Sequence, residues 1–443
     1  MENKIGLRKW LTFILAGFVG QIAWALENMF LSTYAFYASN DISFISLMTA
    51  LSALTATVTT LLMGALSDKL HKRKAFIAFG YIIWGISIAL FAFLDPHSQI
   101  SIVGNSLFLA GTMIVIMDCV MTFFGSTSND AAFNAYVTDH TEESYRGKVE
   151  SVLSILPMLA MIMIVVISGI FNCSVDGGSW NLFFYVVGGL TTIIGIALLF
   201  VIPKEEVIVQ ETSNQETYFK NIFYGFRPSV IKENIYLYIT LACFSLFSIA
   251  IQVFFPYLIV YIQKTLAIVE LDFTITLGVV LLVSSIITVV IGLFMDKWGK
   301  NKLFIPALVA ATIGAILFFF ANNMIFVIIS GLVLMSGYMV LTALFGAKIR
   351  DYTPKGKAGL FQGIRMIFVV LIPMVTGPYI GEGLSHINPL TYINDYGQEV
   401  IKPNQYIFLG AAVIIALTII PTILLLLKER KDKEIIYEGK TRE

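Results

Sequence analysis

Hydrophobic residues fall in twelve long blocks. Six of them, 10–38, 44–67, 75–94, 104–137, 149–171 and 182–202, precede a polar stretch over 203–234. Six more, 235–262, 273–295, 303–321, 324–347, 360–384 and 406–427, follow it. Each is near or above the ~20 residues a helix needs to cross the hydrocarbon core. Period-two alternation is absent, which argues against a closed barrel, the other way to span lipid with the backbone satisfied. The pattern predicts an all-α membrane protein of twelve transmembrane helices. It divides into a bundle over 1–202, a linker over 203–234, a second bundle over 235–427 and a tail over 428–443.

The two halves echo each other. Gly64, Asp68, Lys69, Lys72, Lys74, Phe76 and Ile77 reappear 228 positions later as Gly292, Asp296, Lys297, Lys300, Lys302, Phe304 and Ile305. Asp139, Thr141 and Gly147 reappear 212 positions later as Asp351, Thr353 and Gly359. A parallel repeat of that kind predicts two pseudo-symmetric six-helix bundles, an architecture of transporters. The change of offset assigns extra residues to the first half, over 95–111. This segment is expected to face outward, with the fourth helix proper starting near Thr112.

Charge orients the bundle. Of the 29 Lys and Arg, all but Lys264, Lys402 and Arg365 fall at the ends and in the alternate loops that share a side with the N-terminus. That bias predicts both termini in the cytoplasm. The chain is 57% hydrophobic and only 13% charged, against roughly 25% charged for a soluble domain, so lipid is its expected surroundings. Net charge is zero, which speaks against a nucleic-acid partner. Cys119, Cys173 and Cys243 are too dispersed for a disulfide framework or a metal site. The expectation is a multi-pass protein of the cell membrane, monomeric and without a cofactor beyond a co-transported proton or sodium ion.

GALSDKLHKRK, residues 64–74, resembles the loop between the second and third helices of the major facilitator superfamily. Its copy, GLFMDKWGKNK, keeps as Gly299 the second glycine that His71 replaces. The resemblance implies the major facilitator fold and a gating role for Asp68, Lys69, Arg73, Asp296 and Lys297, with Glu150 and Gln362 on the same inner-gate surfaces. The physical logic agrees: a carboxylate near basic residues at a helix end makes charge-assisted bonds that break and reform as bundles rock.

The run NDAAFNAYVTDHTEESYRGK, 129–148, is similar to the matching stretch of the glycoside–pentoside–hexuronide:cation symporters. That group, which includes melibiose permease, carries a cation-site Asp eleven residues before a Thr, and Asp130 stands in that relation to Thr141. WALENMF, 24–30, is similar to the sucrose/proton symporters. The second-helix carboxylates of melibiose permease align with Ala56 and Thr60, so the resemblance implies a proton before sodium.

The residues stand out without the family. A charged side chain at mid-bilayer costs at least ~2.5–3.5 kcal/mol on insertion scales, so each needs a reason. Asp130 is expected about 16 Å above Thr141, in a dense polar run from Ser126 with Asn134 one turn on. Its repeat counterpart is the uncharged Thr342. Glu27, beside Asn28, is similarly deep, and desolvation disfavours its charged form, so it exchanges a proton when water enters. Asp118 is placed nearer the outside, in a vestibule. Arg365 is the single in-membrane cation, suited to paired hydroxyls or a carboxylate. Trp24 and Tyr34 are the rings placed to stack on a sugar.

Cation coupling is thus assigned to Asp130 and Glu27, and substrate binding to these two with Arg365, Asn134, Asn28, Tyr34 and Trp24. The expected function is symport of a sugar or glycoside with a proton, or with sodium. The alternative is a facilitator-type exporter of drugs or other small amphiphilic or anionic solutes. A membrane enzyme would need clustered bases or metal ligands. The four histidines are scattered, and no enzyme is expected.

Overall fold

The structure, a computed structural model, describes residues 6–70, 72–141, 146–203, 224–354, 358–394 and 396–440. Eleven helices among them are long and apolar enough to cross a membrane. In order these are α1 (Leu7–Ser39), α2 (Ser43–Leu70), α3 (Arg73–Phe93), α4 (Leu107–Asp139), α6 (Trp180–Val201) and α7 (Ile235–Thr265). Then come α8 (Glu270–Trp298), α9 (Lys300–Phe319), α10 (Met324–Tyr352), α11 (Gly363–Ser385) and α12 (Tyr406–Lys440). Between α4 and α6 lies α5 (Arg146–Ile170), whose described apolar part is the shorter Ile155–Ile170.

One expectation changes. The fourth helix starts at Leu107, five residues before Thr112, because Ser106 caps it by accepting from the Leu109 N–H. The fold is all-helical apart from one short hairpin. Strands β1 (Leu390–Ile393) and β2 (Glu399–Lys402) pair antiparallel between α11 and α12. The turn is held by Asn394, whose Oδ1 accepts from the Tyr396 and Gln398 N–H groups, and by Gly397 at φ +73°. Glycine has no Cβ to penalise that conformation.

The chain forms two compact units that depart from the halves of the sequence. The first joins the N-terminal helices to Phe255–Gly278 and Asn388–Asn404; the second holds Val279–Ile387 and the remainder. In the first unit α3 and α6 meet backbone to backbone. A Cβ on Gly85 would strike Thr192 Oγ1 and the Gly188 carbonyl, and one on Gly188 would lie 2.5 Å from the Gly85 carbonyl. Small residues let membrane helices gain close van der Waals contact where lipid offers no hydrophobic drive. Gly85→Val is expected to cost about 1–3 kcal/mol of overpacking, read as a lower thermal midpoint in detergent.

Each unit carries an ion pair to one of the repeated aspartates, Asp139 and Asp351. Arg73 Nη2 sits 2.8 Å from Asp139 Oδ2 in the first, and Lys300 Nζ 2.8 Å from Asp351 Oδ2 in the second. Both tie the start of one helix to the end of the next. The second unit adds a deeper tie. Lys348 Nζ, almost fully buried, reaches Glu429 Oε2 at 2.6 Å and Asn301 Oδ1 at 2.5 Å, joining α9, α10 and α12.

Candidate functional site

Four helices depart locally from α geometry. Wider π turns occupy Glu27–Leu31 in α1, Ser126–Phe133 in α4, Tyr261–Thr265 in α7 and Ile367–Leu371 in α11. Such turns are frequent at functional sites because they re-aim side chains and loosen the backbone ladder. The two acidic residues singled out from sequence both lie in them.

Glu27 opens the first. Only 7% of it is exposed, and its Oε1 accepts from Ser52 at 2.7 Å and Thr122 at 3.2 Å, while Oε2 is buried without a hydrogen-bond partner. Asp130 lies in the second, half-buried. Ser126 donates to its Oδ2 and Asn129 to its Oδ1, each at 3.2 Å, and the Trp24 indole lies beside it. Asn129 is placed by Tyr81, whose hydroxyl is 2.9 Å from its Oδ1. Gly20 makes room: a Cβ there would lie 2.5 Å from Asn129 Oδ1. Glu27 and Asp130 are within electrostatic reach of one another. Neither makes an ion pair among the described residues.

The other substrate-site residues divide. Asn28 and Asn134 are exposed, each donating to a carbonyl one turn earlier, Trp24 O and Asp130 O. Trp24 packs against Trp84 at 5.0 Å between ring centroids. Tyr34 does not offer its ring: it is fully buried against Trp180 and Phe184, its hydroxyl bound to Phe91 O at 2.8 Å. Burial in that aromatic cluster makes it a core residue. Arg365 is exposed in α11 and forms no ion pair among the described residues. Of the gating set, Arg73 pairs with Asp139 as above. Exposed Lys297 lies 5.8 Å over the Phe294 ring. The side chains of Asp68, Lys69, Asp296, Glu150 and Gln362 lie outside the described residues.

Asp118 corrects an expectation. It is not in a vestibule but 1% exposed, with neither carboxylate oxygen hydrogen-bonded. Position along α4 fixes its height but not its direction, and it faces the bundle. Ser52 and Thr122 were also missed. A signal existed: Ser46, Thr49 and Ser52 recur every third residue of α2, a polar stripe on one helical face.

A second polar cluster lies at the far end of α1 and involves the hairpin. Lys264 pairs with Asp176 and stands 4.2 Å over the Tyr392 ring. Tyr392 donates to Asn40 Oδ1 at 2.8 Å, Thr265 to Pro403 O at 2.6 Å, and the Val175 N–H to Gln263 Oε1 at 3.1 Å. Burial and nearby Lys264 push the Lys402 ammonium below the usual lysine range. Phe30 and Phe273 add an edge-to-face contact at 6.5 Å. Among the described residues no group of three or more His, Cys, Asp or Glu is placed to hold a metal ion.

No curated protein matches the sequence. Among solved structures, a point mutant of the nucleoside transporter NupG superposes with a TM-score of 0.70 at 13% identity, covering 94% of this chain and 99% of that one. A D-xylose-proton symporter gives 0.66 at 13% identity over 94% and 97%. The xylose transporter XylE from E. coli, in a partially occluded inward open conformation, gives 0.63 at 13% over 94% and 95%. At such identity the likeness shows the fold alone. The family model of the Major Facilitator Superfamily matches residues 13–378 and 241–441. The chain is therefore a multi-pass integral membrane transporter, not an enzyme, and it belongs to the major facilitator superfamily.

Proposed function

We propose that the protein moves a sugar or glycoside across the cell membrane together with a proton, by alternating access. In this reading it has twelve spans, both termini in the cytoplasm, and acts as a monomer. The observation that carries it is the pair Glu27 and Asp130: two carboxylates on π turns of one bundle, close enough to sense each other, with no cation paired to either among the described residues. Carboxylates kept in a membrane at such cost serve ion or proton pathways by default. Hydroxyl-rich solutes suit the surroundings, with a tryptophan beside one carboxylate and exposed amides at Asn28 and Asn134. The xylose and nucleoside transporters among the neighbours favour a sugar-bearing solute, nucleosides included.

The cluster around Lys264 and Tyr392 then acts as the outer gate, closed in this state. Coupling is a difference in solute affinity between proton-loaded and empty forms. The test is a panel of sugars, glycosides and nucleosides added to everted vesicles or proteoliposomes while internal and external pH are followed. At least one solute is expected to move protons with itself. Solute uptake that moves no proton, or that follows a sodium gradient instead, rejects the proton reading. Outward pumping of apolar drugs with no response to the panel would favour the exporter.

A further inference from the structure

Asp118 is unused by the reading above, yet it is among the most thoroughly buried charged side chains described. Both of its oxygens lack a hydrogen-bond partner. It lies one turn before Thr122 on α4, and Thr122 donates to Glu27. Ser52, 2.9 Å from the Thr122 hydroxyl, neighbours both acids. Glu27 presents a second buried oxygen, Oε2, that is likewise unpartnered. Two acids thus flank a pair of hydroxyls inside one bundle.

Among the described residues the other titratable groups beside them, Cys119 and Asp130 on α4, bring no positive charge, and neither does the turn Phe255–Tyr257 that packs against the π turn of α1. Two hydroxyl donors on Glu27 Oε1 do not offset two anions in a dry site with no counter-charge, because desolvation and like-charge repulsion act in the same direction and three of the four carboxylate oxygens lack a partner. A proton is the smallest solution. We propose that Glu27 and Asp118 hold one exchangeable proton between them, cradled by Ser52 and Thr122. This pair, rather than Asp130, is where the proton resides while the site is dry. Releasing it leaves two negative charges in the same pocket, so release waits for water to enter. Asp130, half-buried and already supplied with two donors, is suited to meet the solute.

The inference deepens the symport reading but is tested without a solute. The probe is the proton itself, followed by infrared spectroscopy of the purified full-length protein, since a protonated carboxyl has a carbonyl stretch that a carboxylate lacks. At neutral pH the native chain is expected to show this band, with slow shift in heavy water. Asp118→Asn and Glu27→Gln should each shift or remove it and the double variant should lose it, while Asp130→Asn leaves it in place. If Asp118→Asn does not fold, Glu27→Gln alone must still move the band. A band unaltered by both single substitutions, or abolished by Asp130→Asn alone, overturns the proposal. So does its replacement by the carboxylate signal when sodium is added at fixed pH. A native band with no solute-driven proton movement would refute symport and leave the pair standing. Proton movement without the band would refute only the pair.

Discussion

Asp130→Asn is expected to abolish accumulation of solute against its gradient while leaving the protein folded and inserted. The geometry makes the variant informative. Asn129 donates to Oδ1, which an asparagine retains, and the Ser126 hydroxyl at Oδ2 can rotate to accept from the new amide. Shape and hydrogen bonding survive, and only the charge goes. One pH unit is worth about 1.4 kcal/mol per proton, so a one-to-one symporter sustains about a tenfold accumulation at that gradient. The variant should bring the ratio to one. Uptake in proteoliposomes with and without an imposed pH difference measures it, with circular dichroism to confirm folding. Undiminished accumulation would remove Asp130 from the coupling step.

Lys348→Met should produce the largest loss of stability. Lys348 and Glu429 are 4% and 14% exposed in their side chains, and the ammonium also faces the rings of Phe304 at 5.7 Å and Tyr352 at 5.5 Å. Methionine replaces most of the stem, so packing changes little. Glu429, 14% exposed, loses the Lys348 ammonium, and removing one partner of a buried pair costs about 3–5 kcal/mol. Thermal unfolding in detergent should show the drop. Lys348→Met with Glu429→Leu should recover much of it, because the stranded charge is gone too.

The two cases mark what a linear reading can and cannot reach. Hydropathy alone located eleven spans among the described residues, because about twenty apolar residues in a row have one physical use. The repeat of Asp139 as Asp351 was legible too, although the cations that pair with them, Arg73 and Lys300, are not repeat counterparts. Lys348, by contrast, reads as one more basic residue marking an inner loop, and its burial depends on α9 and α12 closing over it. Asp118 failed for a related reason: rise per residue gives depth, but its facing depends on neighbours distant in sequence. Tyr34 lay near Glu27 along the chain and still turned into an aromatic core. The π turns shift side chains around the helix in a way that ideal periodicity cannot anticipate. Glu27 and Asp130 were legible because acids are rare in lipid, whereas Ser52 and Thr122 were obscured by the many hydroxyls that bond back to their own helix.

The hairpin of β1 and β2 has a practical consequence. Its turn is an exposed epitope at Tyr396 and Glu399, while Tyr392 in the same hairpin holds Asn40. An antibody fragment that recognises the hairpin only when so seated would select one member of the conformational ensemble. Its binding energy would be added to that of the seated state, and a preference of about 1.4 kcal/mol shifts the population tenfold. Such a fragment would be an inhibitor that never touches the solute site.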